Sequence, residues 1–149
     1  MALPQDIRPV NSELVETLVR STEMDWIETS PGKAYMKILW LSPETGRWSV
    51  LLRWLKGYVA RPHKHLSGAH VYMLSGKLQV RDSILVPGDY YYEPNGMVHD
   101  STVALEDTEY LFICDGATLY FDENGFTGYN SWEQLQRLLD ARMAKVAAE

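Results

Sequence analysis

Three of the chain's four histidines, His63, His65 and His70, fall within eight residues, and the fourth is His99. His63 and His65 are two apart. On a β-strand, residues i and i+2 share a face, with Cα atoms about 6.6 Å apart. Two imidazoles so placed can converge on one ion through metal–nitrogen bonds of about 2.0–2.1 Å. Pro62 favours an extended backbone at this point. His99 follows the tight turn Pro94-Asn95-Gly96, which can return a neighbouring strand alongside. A lone histidine is more often a surface or satisfied core residue. His63, His65 and His99 together point to one divalent metal, and imidazole suits Fe, Zn, Ni and Cu alike.

The elements that must position these residues are mostly strands. Ala34–Leu41 and Arg47–Leu55 are rich in β-branched and aromatic residues, with the turn Pro43-Glu44-Thr45-Gly46 between them. Shorter runs follow at 69–74, 77–81, 90–93, 109–114 and 117–121. Gly76, Pro87-Gly88-Asp89, Asp115-Gly116 and Asp122-Glu123-Asn124-Gly125 separate them. Short strands at this spacing predict an antiparallel sandwich or small barrel over residues 31–128. Residues 1–30 read as an N-terminal arm with a short helix from Asn11 or Ser12 through Arg20. Beyond residue 129 the period changes. Ser131 and Gln134 form a capping box, and Trp132, Leu135, Leu138, Leu139 and Met143 make one helical stripe, with a frayed tail after Met143.

At 149 residues the chain reads as a single domain, long enough to bury about two-thirds of its unfolded surface. Its net charge of −6 argues against nucleic acid as the main partner. The longest stretch free of Asp, Glu, Lys and Arg, His65 to Gly76, is far too short to span a bilayer. Residues 1–10 carry Asp6, Arg8 and two prolines and do not read as a signal peptide. A single cysteine, Cys114, fits a reducing cytoplasm and reads as a small buried apolar residue.

Two spaced motifs carry a family resemblance. Gly57, His63-Lys64-His65, His70 and Gly76 are similar to the first cupin motif, and Gly88, Pro94-Asn95-Gly96 and His99 to the second. The resemblance implies an all-β cupin (RmlC-like) antiparallel jelly-roll barrel with a metal inside, held by His63, His65 and His99. Over most of the chain, Ser42-Pro43-Glu44-Thr45-Gly46, Trp48, Tyr92-Glu93-Pro94 and Tyr120-Phe121-Asp122-Glu123-Asn124-Gly125 resemble the group of 2,4′-dihydroxyacetophenone and acetylacetone-cleaving dioxygenases. That group uses non-haem Fe(II) and O₂ to cleave a carbon–carbon bond next to a carbonyl. Two positions depart from the motifs: His70 stands where a glutamate is expected, and Val103 where an asparagine can end the second motif. His70 is thus a candidate fourth ligand or a donor within the pocket.

Further site residues follow from the same resemblance. It makes Glu93 a carboxylate near the metal that orients substrate or accepts its α-proton, and Arg81 its partner. The tyrosine completing that network falls on Val71. Tyr72 shares the strand face of His70 by period two and is the expected pocket wall. From Thr45 to Arg81 there is no Asp or Glu, but there are seven of the 14 cations. Any that faced the cavity would favour an anion. Neutral imidazoles leave an ion's charge uncompensated, which favours an enolisable ketone binding as its enolate. The expected activity is Fe(II)-dependent dioxygenation of a β-diketone or α-hydroxyketone, with Zn or Ni also able to occupy the site. The alternatives are a metal-dependent isomerase or hydrolase, and a non-catalytic zinc-binding sensor module. The tyrosine-rich strands suit the interface of a homodimer.

Overall fold

The computed structural model describes residues 15–149. The helix expected to end at Arg20 lies partly outside these residues. Its part from 15 to 20 is irregular and is followed by a 3-10 turn at Ser21–Glu23. Val15 and Leu18 are exposed, so no apolar face is buried to hold a helix that short.

Thirteen strands follow: β1 (Ile27–Ser30), β2 (Ala34–Leu41), β3 (Trp48–Trp54), β4 (His63–His65), β5 (Ala69–Ser75), β6 (Leu78–Val80), β7 (Ser83–Leu85), β8 (Tyr90–Glu93), β9 (Val98–His99), β10 (Thr102–Ala104), β11 (Thr108–Cys114), β12 (Thr118–Asp122) and β13 (Gly125–Asn130). All pairings between them are antiparallel. Strand structure begins at Ile27 and ends at Asn130, slightly wider than the expected barrel.

A six-stranded sheet runs β1-β2-β3-β11-β5-β8, and a four-stranded sheet runs β13-β12-β4-β9. A small sheet, β10-β6-β7, completes the body. Alternation is clean in the central strands. Trp48, Val50, Leu52 and Trp54 of β3 and Thr108, Tyr110, Phe112 and Cys114 of β11 point inward, while their neighbours are half-exposed. Each large apolar side chain buried this way contributes about 1.5–3 kcal/mol. Gly76 is required where it stands. Its φ is +79°, and a Cβ there would meet the Asp107 carbonyl at 2.2 Å.

The C-terminal helix α1 (Trp132–Ala148) starts as expected, with the Gln134 N–H donating to the Ser131 hydroxyl at 3.5 Å. It runs on through Ala148 rather than fraying at Met143, and Met143 itself is exposed. Leu135 is buried, and with Leu138 it closes one end of the cavity between the sheets.

Candidate metal centre

The antiparallel register of the four-stranded sheet assembles the histidines. β4 lies between β9 and β12, with His63 paired across from both His99 and Tyr120. His63 and His65 share a face by period two, and His99 arrives from the neighbouring strand after the Pro94-Asn95-Gly96 turn. The three rings lie 4.8–5.1 Å apart between centroids. Their candidate ligand nitrogens all fall within 4.8 Å of one another.

The protonation pattern suits a cation. His63 Nδ1 lies 2.8 Å from the Arg61 carbonyl. A carbonyl only accepts, so Nδ1 carries the proton and Nε2 keeps a free lone pair. His65 and His99 are fully buried, and no nitrogen of either ring makes a well-directed hydrogen bond among the described residues, although the Glu93 carboxylate lies close to both Nε2 atoms. Buried polar atoms without partners are costly, which makes this cluster incomplete as it stands. Burial lowers the pKa of His63 and pushes that of His65 down to about 4, although the nearby Glu93 carboxylate acts in the opposite sense. The imidazoles of His63 and His65 are therefore neutral near pH 7, with lone pairs available to a metal without proton competition. Three imidazole nitrogens with a carboxylate beside them fit a divalent transition metal.

That carboxylate is Glu93, only 5% exposed. Its Oε2 lies 3.3 Å from His65 Nε2, and its Oε1 lies 3.2 Å from His99 Nε2. Glu93 sits on β8 directly across from Ala69 of β5. Ala69 is fully buried and small, so the inward position on β5 leaves room for the carboxylate from the next strand.

His70 is not brought to the cluster. On β5 the inward residues are Ala69, Val71 and Met73, so His70 projects from the opposite face and its Nδ1 meets the Tyr90 hydroxyl there. Tyr72 does share the face of His70, but that face is the outer one, and Tyr72 is 45% exposed. It lines no pocket. Arg81 is likewise separate from Glu93. It occupies the turn between β6 and β7 with φ +53°, exposed, and pairs with no carboxylate among the described residues. One cause underlies the first two corrections: strand phase at β5 is set by Ala69, one residue before the histidine that the motif spacing singles out.

The cluster opens into a cavity of about 640 Å³ walled by Trp54, Tyr58, Tyr110, Phe112 and Tyr120, with Arg61 at its rim. Tyr58 and Arg61 are not legible as site residues, although the two-residue step from Arg61 to His63 contains part of the signal. Among the seven cations of the acid-free segment, only Arg61 lines this cavity. Arg47, Arg53 and Lys77 pair with Asp115, Glu109 and Glu106 at the surface. Cys114 is buried and its thiol pKa is raised by burial, which suits the apolar role expected of it.

These features place the molecule in a known class. Residues 14–119 match the family model of the ChrR cupin-like domain, and the chain belongs to that family. Its fold is the cupin fold, as solved structures show. An RmlC-like cupin protein from Ralstonia eutropha superposes with a TM-score of 0.80 at 20% identity, over 89% of this chain and 90% of that one. An acetylacetone dioxygenase from Acinetobacter johnsonii gives 0.78 at 19% identity, over 87% and 94%. Rhodobacter sphaeroides SigE in complex with the anti-sigma ChrR gives 0.55 at 22% identity, over 64% and 52%. No curated protein sequence matches. Among the described residues, no helix is long and apolar enough to cross a membrane.

Proposed function

We propose that this cupin is a non-haem Fe(II) dioxygenase that cleaves a carbon–carbon bond next to a carbonyl in a β-diketone or α-hydroxyketone. One observation carries the reading. His63, Glu93 and His99 line a cavity large enough for a small substrate, so the centre is open rather than sealed. Similarity in fold to an acetylacetone dioxygenase supports the same chemistry.

His63, His65 and His99 would hold the ion. Bound there, Fe(II) would supply Lewis acidity to a ketone's oxygens and electrons to O₂. The protein's own residues do the rest. Imidazole ligands bring no negative charge, so Glu93 alone would offset part of a divalent ion's charge, and the remainder favours an enolate over the neutral ketone. Glu93 is placed to accept the α-proton released on enolisation and to keep it beside the histidines. Phe112, Trp54 and Leu52 keep that wall apolar and limit water. Trp40, Tyr72, Leu74, Tyr90 and Tyr92, exposed together on the outer face of the six-stranded sheet, support a homodimer. The buried free Cys114 suits the cytoplasm.

A second reading is a zinc-binding sensor module. Family membership with the ChrR cupin-like domain favours it, as does the approach of Glu93, which would complete a four-ligand set. Oxygen uptake separates the two. Protein loaded anaerobically with Fe(II) is mixed with β-diketones and aryl α-hydroxyketones. We expect uptake with Fe(II), none with Zn(II), and loss in Glu93→Gln of about a hundredfold or more. No uptake across the panel, with iron shown to be bound, would transfer the assignment to the sensor.

A further inference from the structure

The rim of the cavity carries a cation that pairs with no carboxylate among the described residues. Arg61 is one of three described arginines, with Arg20 and Arg81, that make no ion pair with a described carboxylate, and among these it is the one on the cavity wall. Its guanidinium lies 4.1 Å from the centroid of the Tyr120 ring. Tyr120 pairs with His63 across β12 and β4, and its ring approaches the His63 imidazole edge-on at 6.1 Å. This cation–π contact holds the guanidinium beside Tyr120, and none of its N–H groups makes a hydrogen bond among the described residues, so they are free for a two-oxygen acceptor.

The hydroxyls beside it are also unpartnered. Tyr58, Tyr110 and Tyr120 line the same cavity, and none of their hydroxyls makes a hydrogen bond among the described residues. Tyr110 is only 4% exposed. These hydroxyls keep access to the cavity, so a ligand entering it can take up their hydrogen bonds. Burial raises the pKa of Tyr58 and Tyr110, so both stay protonated and able to donate. The only carboxylate on the wall, Glu93, is engaged at the histidines.

We propose that Arg61, with the hydroxyls of Tyr58 and Tyr120, forms a carboxylate subsite, and that the substrate is an enolisable ketone carrying a carboxylate a few bonds from the carbonyls. This rests on the reading that the histidine centre binds a diketone or hydroxyketone. Arg61 and His63 are two residues apart, roughly 6–7 Å between Cα atoms. A ligand whose carboxylate is separated from its dicarbonyl unit by two methylenes can reach both ends. Arg61 also connects the two functions structurally, since its carbonyl holds the His63 ring while its side chain faces the rim.

A matched pair of ligands tests this. 4,6-Dioxoheptanoate and heptane-2,4-dione present the same dicarbonyl, one with a terminal carboxylate and one with a methyl. Each is titrated calorimetrically into Zn(II)-loaded protein, where no turnover occurs. The acid is expected to bind about 10- to 100-fold tighter, as charge-assisted hydrogen bonds allow. That preference, read as the ratio of the two dissociation constants, falls to near one in Arg61→Gln and is partly restored in Arg61→Lys. Thermal melting confirms that both variants are folded. Equal binding of the two ligands, or a preference that survives Arg61→Gln, overturns the subsite and leaves the dicarbonyl reading standing. Failure of both ligands to bind overturns the dicarbonyl reading and the subsite with it.

Discussion

β4 and β5 carry one histidine cluster in the sequence, yet the fold sends the cluster in two directions. His65 of β4 is fully buried against Glu93 and His99. His70 of β5 projects from the outer face of its sheet, where its partners are Tyr90 and Tyr92. The residue type is the same and the separation is five positions. What differs is phase. β5 begins with Ala69 pointing in, so every even position to Leu74 points out. Proximity along the chain is thus a weak guide to a shared site, and a phase fixed by the smallest residue on the strand decides it.

The largest expected effect breaks the comparison directly. His99→Ala should lose most of its metal, from about one equivalent to less than a tenth, when measured by elemental analysis after gel filtration. His65→Ala should do the same, because each supplies one of three nitrogens. His70→Ala should keep its full equivalent, since the ring makes no approach to the cluster. If His70→Ala loses metal as fully as His99→Ala, the inside and outside assignments of β5 are wrong.

Much of this was legible in the sequence, and the losses are instructive. His63, His65 and His99 were readable because period two and a turn are local rules, and the antiparallel pairing of β4 with β9 obeys them. Glu93 was readable only through a family resemblance. Nothing in its local sequence says that Ala69 lies across from it, because that pairing depends on long-range register. Motif spacing puts His70 inside, and period two then carries Tyr72 with it to the same face. The run Ala69, Val71, Met73 against His70, Tyr72, Leu74 already favoured the other phase. The family resemblance ties Arg81 to Glu93, whereas here it takes a left-handed turn at the surface. In the helix, Ser131 gave the start correctly, but the end could not be read, since no glycine or proline follows Met143 to stop it.

A smaller effect sharpens the inner half of the comparison through pH. In the metal-free protein, His65 titrates near 4, whereas in the unfolded chain it titrates near the ordinary 6.5. Above pH 6.5 neither state carries the proton and there is no effect. As pH falls from 6.5 to 4, the unfolded chain takes up a proton that the folded one refuses, so stability falls with pH and levels off below about 4. At about 1.4 kcal/mol for each pH unit, the loss from His65 is roughly 3 kcal/mol. Urea denaturation of metal-free protein between pH 7 and 4 should show this slope, and His65→Gln should flatten part of it. Equal slopes in the two proteins would mean that the ring is hydrated rather than buried.

The smallest change in fold stability is expected on the outer face, where the comparison has its other half. Tyr90 and Tyr92 are more than half exposed, and their strand, β8, ends the six-stranded sheet. Replacing both by lysine removes little buried area within one chain, so unfolding should shift by no more than about 1 kcal/mol. Metal content should not change, because both side chains lie on the face opposite Glu93. Assembly is where the effect should appear. If this face pairs with its own copy, two lysines placed on it would leave uncompensated charge at the interface. Sedimentation velocity should therefore show a dimer for the parent chain and a monomer for the double variant. If both sediment alike while metal content holds, the outer face does not mediate pairing, and its aromatic row has no role in assembly.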